Sequence, residues 1–288
     1  MLSPQVTLTI LNGLTQAGLL FLIASGLTLA FGLMQVVNLA HGAFYLLGGF
    51  IGYSVFRATS IWWLAVIAGG LGIALIGLFM ERILLERIRG NMLSETLLTI
   101  GISTVIADLV LFIWGGRPLS IQTPAFLNPR LNILGVRYPG FRIFILFLSI
   151  AVGIILWLIL FKTQLGAMIR AGVDDREMVA ALGINIRKLF TLVFLLSAFL
   201  AGTAGVVGGT YLSLQIGTDV RYLVLALVVV IIGGMGSVGG AAIGALITGL
   251  ILSFSGAYFP QLSFSLTFAP MVIILALKPG GLLGRKIT

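Results

Sequence analysis

The chain has 288 residues, 59% of them hydrophobic and only 9% charged, with a mean hydropathy of +1.19. Soluble domains carry about 25% charged residues, so this composition excludes a water-soluble globule and indicates an integral membrane protein. Seventeen Lys and Arg against eight Asp and Glu give a net charge of +9, and the lack of cysteine excludes disulfides, thiolate metal sites and cysteine nucleophiles.

No charged residue precedes Arg57. A helical span needs roughly 20 apolar residues, so the opening segment holds two spans, with a turn in 31–38 where polarity rises. The N-terminus lacks the basic region of a cleavable signal peptide, and the first span is expected to be retained. The same reading places spans near 6–30, 38–56, 61–80, 93–114, 142–161, 187–210, 221–238, 241–258 and 262–278. The expected fold class is therefore all-α, a polytopic helical membrane protein of about nine spans in a single transmembrane domain, 1–288. Eight spans is the alternative, because GGMGSVGG at 233–240 has no charge to mark an interface.

Between spans four and five, loop 115–141 holds Pro118, Pro124, Pro129 and Pro139, a density that rules out a long regular helix. It reads as a solvated connector or as a docking surface for an external partner. Placing 81–92, 162–188 and 278–288 in the cytoplasm collects 11 of the 17 Lys and Arg. By the positive-inside bias the N-terminus then lies outside, the C-terminus is cytoplasmic, 115–141 is an outer loop and 163–187 a cytoplasmic one. The net charge fits anionic lipid headgroups. A nucleic-acid partner is not expected, since no compact basic patch with interleaved aromatics occurs.

The cytoplasmic segment GAMIRAGVDDREMVAALGINIRKLF, 166–190, predicts a short helix. Asp174 or Asp175 can cap it, Asp174 is followed three residues later by Glu177, and Gly183 is a natural stop. About two turns result, with an apolar edge of Met178, Val179, Ala181 and Leu182. So short a helix is marginal alone. Either its edge packs on the chain's own span ends, or it inserts into a groove on a cytoplasmic partner and moves the spans that Arg170 and Arg187 border.

Further on, Gly234-Met235-Gly236-Ser237-Val238-Gly239 fits the G-x-G-x-x-G dinucleotide fingerprint. No Asp or Glu follows Asp219, so the acid that would hold a ribose is missing. The stretch is read as a tight turn between spans seven and eight. Gly48/Gly52, Gly236/Gly240 and Gly240/Gly244 have the spacing that lets helices approach closely. There is no G-x-x-x-x-G-K-[ST] loop, so ATP hydrolysis by this chain is not expected. No cofactor, metal site or enzymatic centre is expected either.

Several stretches together resemble the permease subunits of branched-chain (hydrophobic) amino acid ABC importers, LivH type. They are GLTLAFG at 26–32 with VNLAHGAFYLLG at 37–48, Glu81-Arg82 with Arg89-Gly90, and LTIG at 98–101. Arg170-Ala171, Asp175-Arg176-Glu177, AALGI at 180–184, AGTAGV at 201–206, GGMGSV at 233–238 and ALKPGGLLGR at 276–285 complete the match. Gln35 stands where the family usually has a basic residue, and Ala43 where it often has an acidic one.

The resemblance implies a multi-pass protein of the cell inner membrane that pairs with a second, related permease. It further implies two cytoplasmic ATPase subunits, an external solute-binding protein, and import of branched-chain or related hydrophobic amino acids. Urea, short amides or small organic acids are alternative solutes. An ion-coupled secondary transporter or channel is the reading from another class, with Asp108 as its main ionisable residue. Under the resemblance, Arg170, Asp174, Asp175, Glu177, Met178, Ala181, Leu182 and Gly183 form the ATPase-coupling surface. Gln35, Asn38 and His41 recur every three residues, so on a helix they share one broad side. They are candidates for the solute path, since polar groups at membrane depth are costly unless they serve a purpose. The other reading is that Asn38 and His41 satisfy backbone groups at the turn. Asp108, the acid well inside a predicted span, either reads a solute ammonium group or forms an orienting ion pair with an Arg such as Arg117.

Overall fold

The computed structural model describes residues 3–34, 38–133 and 135–284, and the backbone alone for Asp174, Arg176 and Glu177. Among these residues nine long helical segments coincide with the nine stretches expected from hydropathy. They are α1 (Pro4–Met34), α2 (His41–Thr59), α3 (Trp62–Phe79), α5 (Met92–Trp114), α6 (Gly140–Lys162), α9 (Ile186–Tyr211), α10 (Thr218–Gly233), α11 (Val238–Tyr258) and α12 (Ser263–Leu277). α3 continues through a π-helical turn, Met80–Leu85, into the short α4 (Glu86–Ile88). Seven of the segments are long and apolar enough to cross a membrane; α2 and α10 are not among them.

Five of the helices start on side-chain caps of the type that satisfies free backbone N–H groups. Asn91 accepts from Ser94 N, Thr163 from Gly166 N, Asp175 from Met178 N, Asn185 from Lys188 N and Ser237 from Gly240 N, all at 2.9–3.1 Å. These starts all lie on one face of the bundle. The main-chain bonds from Leu282 to Ile232 and from Leu283 to Gly233 hold the tail to that face as well. On the opposite face, Leu119 and Leu214 exchange backbone bonds of 2.9 and 2.7 Å, joining loop 115–141 to the α9–α10 connection.

α1 and α9 form the centre. In their most apolar stretches 89% and 72% of the residues are buried, against 6% for the segment containing α12, which is therefore peripheral. Glycines set the closest approaches. A Cβ at Gly32 would lie 2.9 Å from Gly236 Cα, a Cβ at Gly48 would collide with Gly202, and one at Gly205 would fall on the Tyr45 carbonyl oxygen. Gly240 meets Gly233, and Gly244 meets the Val229 carbonyl, so the small-residue spacings serve helix packing as expected. GGMGSVGG is a turn, with Gly234 at φ 101 and Gly236 at φ 80. The segment before it is helix α10, so the strand that a dinucleotide motif requires is absent there.

Segment 115–141 departs from an all-helical reading in one respect. Arg130–Ile133 (β1) and Val136–Pro139 (β2) form an antiparallel hairpin. It is fastened to α1 by Tyr138, fully buried, whose hydroxyl lies 2.9 Å from Thr15 Oγ1 and donates to Asn12 Oδ1 at 3.1 Å.

Candidate functional site

The segment between α6 and α9 folds as two short helices, α7 (Gln164–Asp174) and α8 (Arg176–Ala181). Asp175 breaks between them in extended conformation, φ −152 and ψ 106, and its carboxylate caps α8. Of the two aspartates that fit the sequence pattern, the cap is thus Asp175, while Asp174 ends α7.

Gly183, at φ 81, stops α8. Gly183 N donates to Ala180 O at 3.0 Å and Ile184 N to Val179 O at 3.3 Å, the paired bonds of a Schellman stop. Within the apolar edge, Val179 is buried, whereas Met178 is 64% and Leu182 73% exposed, with Ala181 exposed between them. The edge therefore divides: one residue anchors the helix to the bundle and three present an apolar surface outward. Arg170, exposed on α7, lies over the Phe161 ring at 5.0 Å.

Sequence reasoning missed a polar clamp beneath this surface. Glu81, 1% exposed in the π-helical turn, pairs with Arg89 and accepts from Thr191 Oγ1 at 2.7 Å. Arg89 also sits 4.4 Å from the Phe190 ring centre. Arg187 reaches Glu86 at 3.3 Å, so two acids of the α3–α4 end meet the first turns of α9. The available signal was Glu81 at the end of a highly apolar span. Its partner Thr191 lies 110 residues away, which no local pattern reveals.

The solute-path candidates separate. Gln35 lies outside the described residues. Asn38 precedes α2 and His41 is its first residue, so these two do not share a helical face, a correction to the three-residue spacing argument. α2 starts deep in the bundle. His41 Nε2 lies 2.9 Å from the carbonyl oxygen of Ile23, mid-way along α1, and Leu39 N donates to Thr99 of α5 at 3.3 Å. A carbonyl only accepts, so Nε2 carries the proton and Nδ1 is an acceptor with no hydrogen-bond partner among the described residues.

Asn38 Oδ1 caps Ala40 N at 3.0 Å, and its Nδ2 is likewise unsatisfied. Thr28 Oγ1 and Ser197 Oγ share this condition. A Cβ on Gly26 would lie 2.8 Å from Ser197 O and 3.0 Å from His41 Cε1, so α1, α2 and α9 converge there. Asn38, His41 and Ser197 thus form a buried polar seam with open donors and acceptors, whereas Thr28 faces the space between α1 and α6. Asp108 is not part of the seam. It is exposed on α5, as are Gly101 and Thr104, and makes no ion pair among the described residues.

The family model "Branched-chain amino acid transport system / permease component" matches residues 9–277. The chain is 28% identical over 294 residues to the high-affinity branched-chain amino acid transport permease LivH of Salmonella typhimurium, covering 95% of this chain and 94% of that protein. It is also 28% identical to the ribose import permease RbsC of Haemophilus influenzae, with 96% and 86% covered. Among solved structures, PsaBC from Streptococcus pneumoniae in complex with Fab aligns with a TM-score of 0.51 at 15% identity, over 92% of this chain and 89% of that one, a likeness of fold. The chain belongs to the family of branched-chain amino acid transport system permease components.

Proposed function

We propose that this chain is the membrane-spanning subunit of an ATP-driven importer for branched-chain or related hydrophobic amino acids. It works in the cell inner membrane with a second related permease, two cytoplasmic ATPase subunits and an external solute-binding protein. The observation that carries this reading is α8, which is anchored by Val179 yet turns Met178, Ala181 and Leu182 outward. An exposed apolar edge on a short capped helix is suited to a groove on a partner. Arg170, Asp174, Asp175, Glu177 and Gly183 hold that edge in place or border it. ATP-driven movement of the partner pulls on α8, and α7 and α9 pass the displacement to the spans. The face with α7 and α8 is then cytoplasmic and the hairpin face is external.

The solute passes along two polar features. The Asn38–His41 seam offers unsatisfied groups at depth, and Gln35 adjoins it in sequence. Asp108, with Gly101 and Thr104 on the exposed face of α5, is a poor surface for lipid. We assign that face to the second permease and the path between them, where a carboxylate meets the ammonium group of an amino acid.

The equal identity to a ribose import permease favours one second reading, import of another small solute such as a sugar, urea or a short amide. A binding screen on the cognate external protein separates the two. Binding of leucine, isoleucine and valine supports the first, and binding of ribose or urea with none of these three overturns it.

A further inference from the structure

Between α1 and α6 the bundle is split. The two helices touch near Gly18, where a Cβ would sit 3.0 Å from Ser149 Oγ, and they part toward α7. The cleft so formed has a volume of about 1020 Å³. Phe21 and Leu29 of α1 form its back, Ile154 and Trp157 of α6 one wall, and Met235 stands opposite. α7 closes one end, with Gly172 packed against Leu33. Ile154, Trp157 and Met235 are exposed, so the cleft opens at the side of the bundle.

Its chemistry is one-sided. Among the described residues no acid lines it, and its charged lining residue is Arg170, at the α7 end. Lys162 Nζ lies 5.8 Å from the Trp157 ring centre at the end of α6, an aromatic and a cation side by side as at a membrane interface. Deeper in, Thr28 lines the cleft fully buried, with no hydrogen-bond partner for its hydroxyl. Thr28 stands one helical turn, roughly 6 Å, from Gly32, which abuts the turn at Gly236.

We propose that this cleft binds a phospholipid with an anionic headgroup from the leaflet bordering α7 and α8. The phosphate accepts from the Arg170 guanidinium, which matches it with two parallel N–H donors. One acyl chain lies along Ile154 and Trp157. The Thr28 hydroxyl, deeper in the same cleft and without a hydrogen-bond partner among the described residues, donates to a glycerol ester carbonyl. Basic sites between spans recognise anionic headgroups in this manner, and the lack of lining acids fits that charge. A polypeptide seated here would instead have to bring a carboxylate to Arg170.

The chain, purified in mild detergent with the subunits it assembles with, is analysed for bound lipid by mass spectrometry. Phosphatidylglycerol or cardiolipin is expected to be enriched over its share of the membrane, and Arg170→Gln is expected to reduce that enrichment about fivefold. Equal enrichment in wild type and R170Q, or equal retention of phosphatidylethanolamine, overturns the proposal. A phospholipid with a photoreactive acyl chain gives a second readout that tolerates a poorly assembled R170Q. It should label peptides 150–161 and 235–242, and Ile154→Trp should suppress that labelling by filling the slot. Labelling unaffected by I154W, or an Ile154→Cys cross-link to a permease partner, contradicts it.

Discussion

Thr191 Oγ1 donates to Glu81 Oε2 at 2.7 Å, joining the first turns of α9 to the π-helical turn that ends α3. Because α9 follows closely on α8, this bond and the Glu81–Arg89 pair link the α7–α8 segment to the end of α3 and α4. Glu81 is buried and Arg89 is 22% exposed, so removing Glu81 leaves a partly screened charge uncompensated, at a cost on the order of 2 kcal/mol. Glu81→Ala should therefore lower the thermal unfolding midpoint in detergent by several degrees. Thr191→Val removes one hydrogen bond and should cost about 1 kcal/mol. A smaller loss in E81A than in T191V would show that the clamp is not a buried charge pair.

Helix packing makes a separate prediction. A Cβ at Gly205 would strike the Tyr45 carbonyl, whereas at Gly101 nothing lies within 4 Å. Gly205→Ala should cost upward of roughly 2 kcal/mol through overpacking and broaden the size-exclusion profile. Gly101→Ala should leave stability unchanged or slightly raised, and a reversal of that order would refute the packing described for α2 and α9.

The stop of α8 depends on backbone conformation. At φ 81 an alanine in place of Gly183 costs roughly 1–2 kcal/mol. The loss is local, so hydrogen exchange should quicken at residues 176–184 while the global unfolding midpoint stays within about 1 °C. Unchanged exchange there would mean that Gly183 does not hold the helix end.

Tyr138 gives a pH dependence. Burial raises its phenol above the ordinary value of 10.0, and the bonds to Thr15 and Arg142 only partly oppose this. A folded-state value raised above the unfolded one means that the contribution is fully present below pH 10 and is lost as pH rises through the folded value. Stability followed from pH 8 to pH 11.5 should fall at the alkaline end, and Tyr138→Phe should flatten that fall. An alkaline fall of equal size in Y138F would assign it to other groups.

The helical segments were legible because apolar runs of nearly constant length alternate with charged clusters. The GGMGSVGG turn was legible once the acid needed for a nucleotide was seen to be missing. The choice between Asp174 and Asp175 was not, since either side chain fits a cap and only the break at φ −152 decides. Nor was the deep start of α2: Asn38 and His41 look equally polar whether they lie at a surface turn or beside Ile23. The hairpin escaped notice because four prolines mask two strands of four residues each. Glu81 with Thr191, and His41 with the Ile23 carbonyl, are pairings made by the bundle, and sequence spacing carries no trace of them.

The proposed role of α8 is to couple this chain to an ATPase. Its most direct test is solute uptake into proteoliposomes holding the chain, its partner permease and the ATPase subunits, with the cognate binding protein supplied. Uptake should require ATP, and Leu182→Asp should abolish both uptake and solute-stimulated ATP turnover, since a carboxylate replaces the exposed apolar contact while α8 stays capped. ATP-dependent uptake undiminished in L182D, or uptake by this chain with no ATPase partner present, would show that α8 does not couple it to an ATPase.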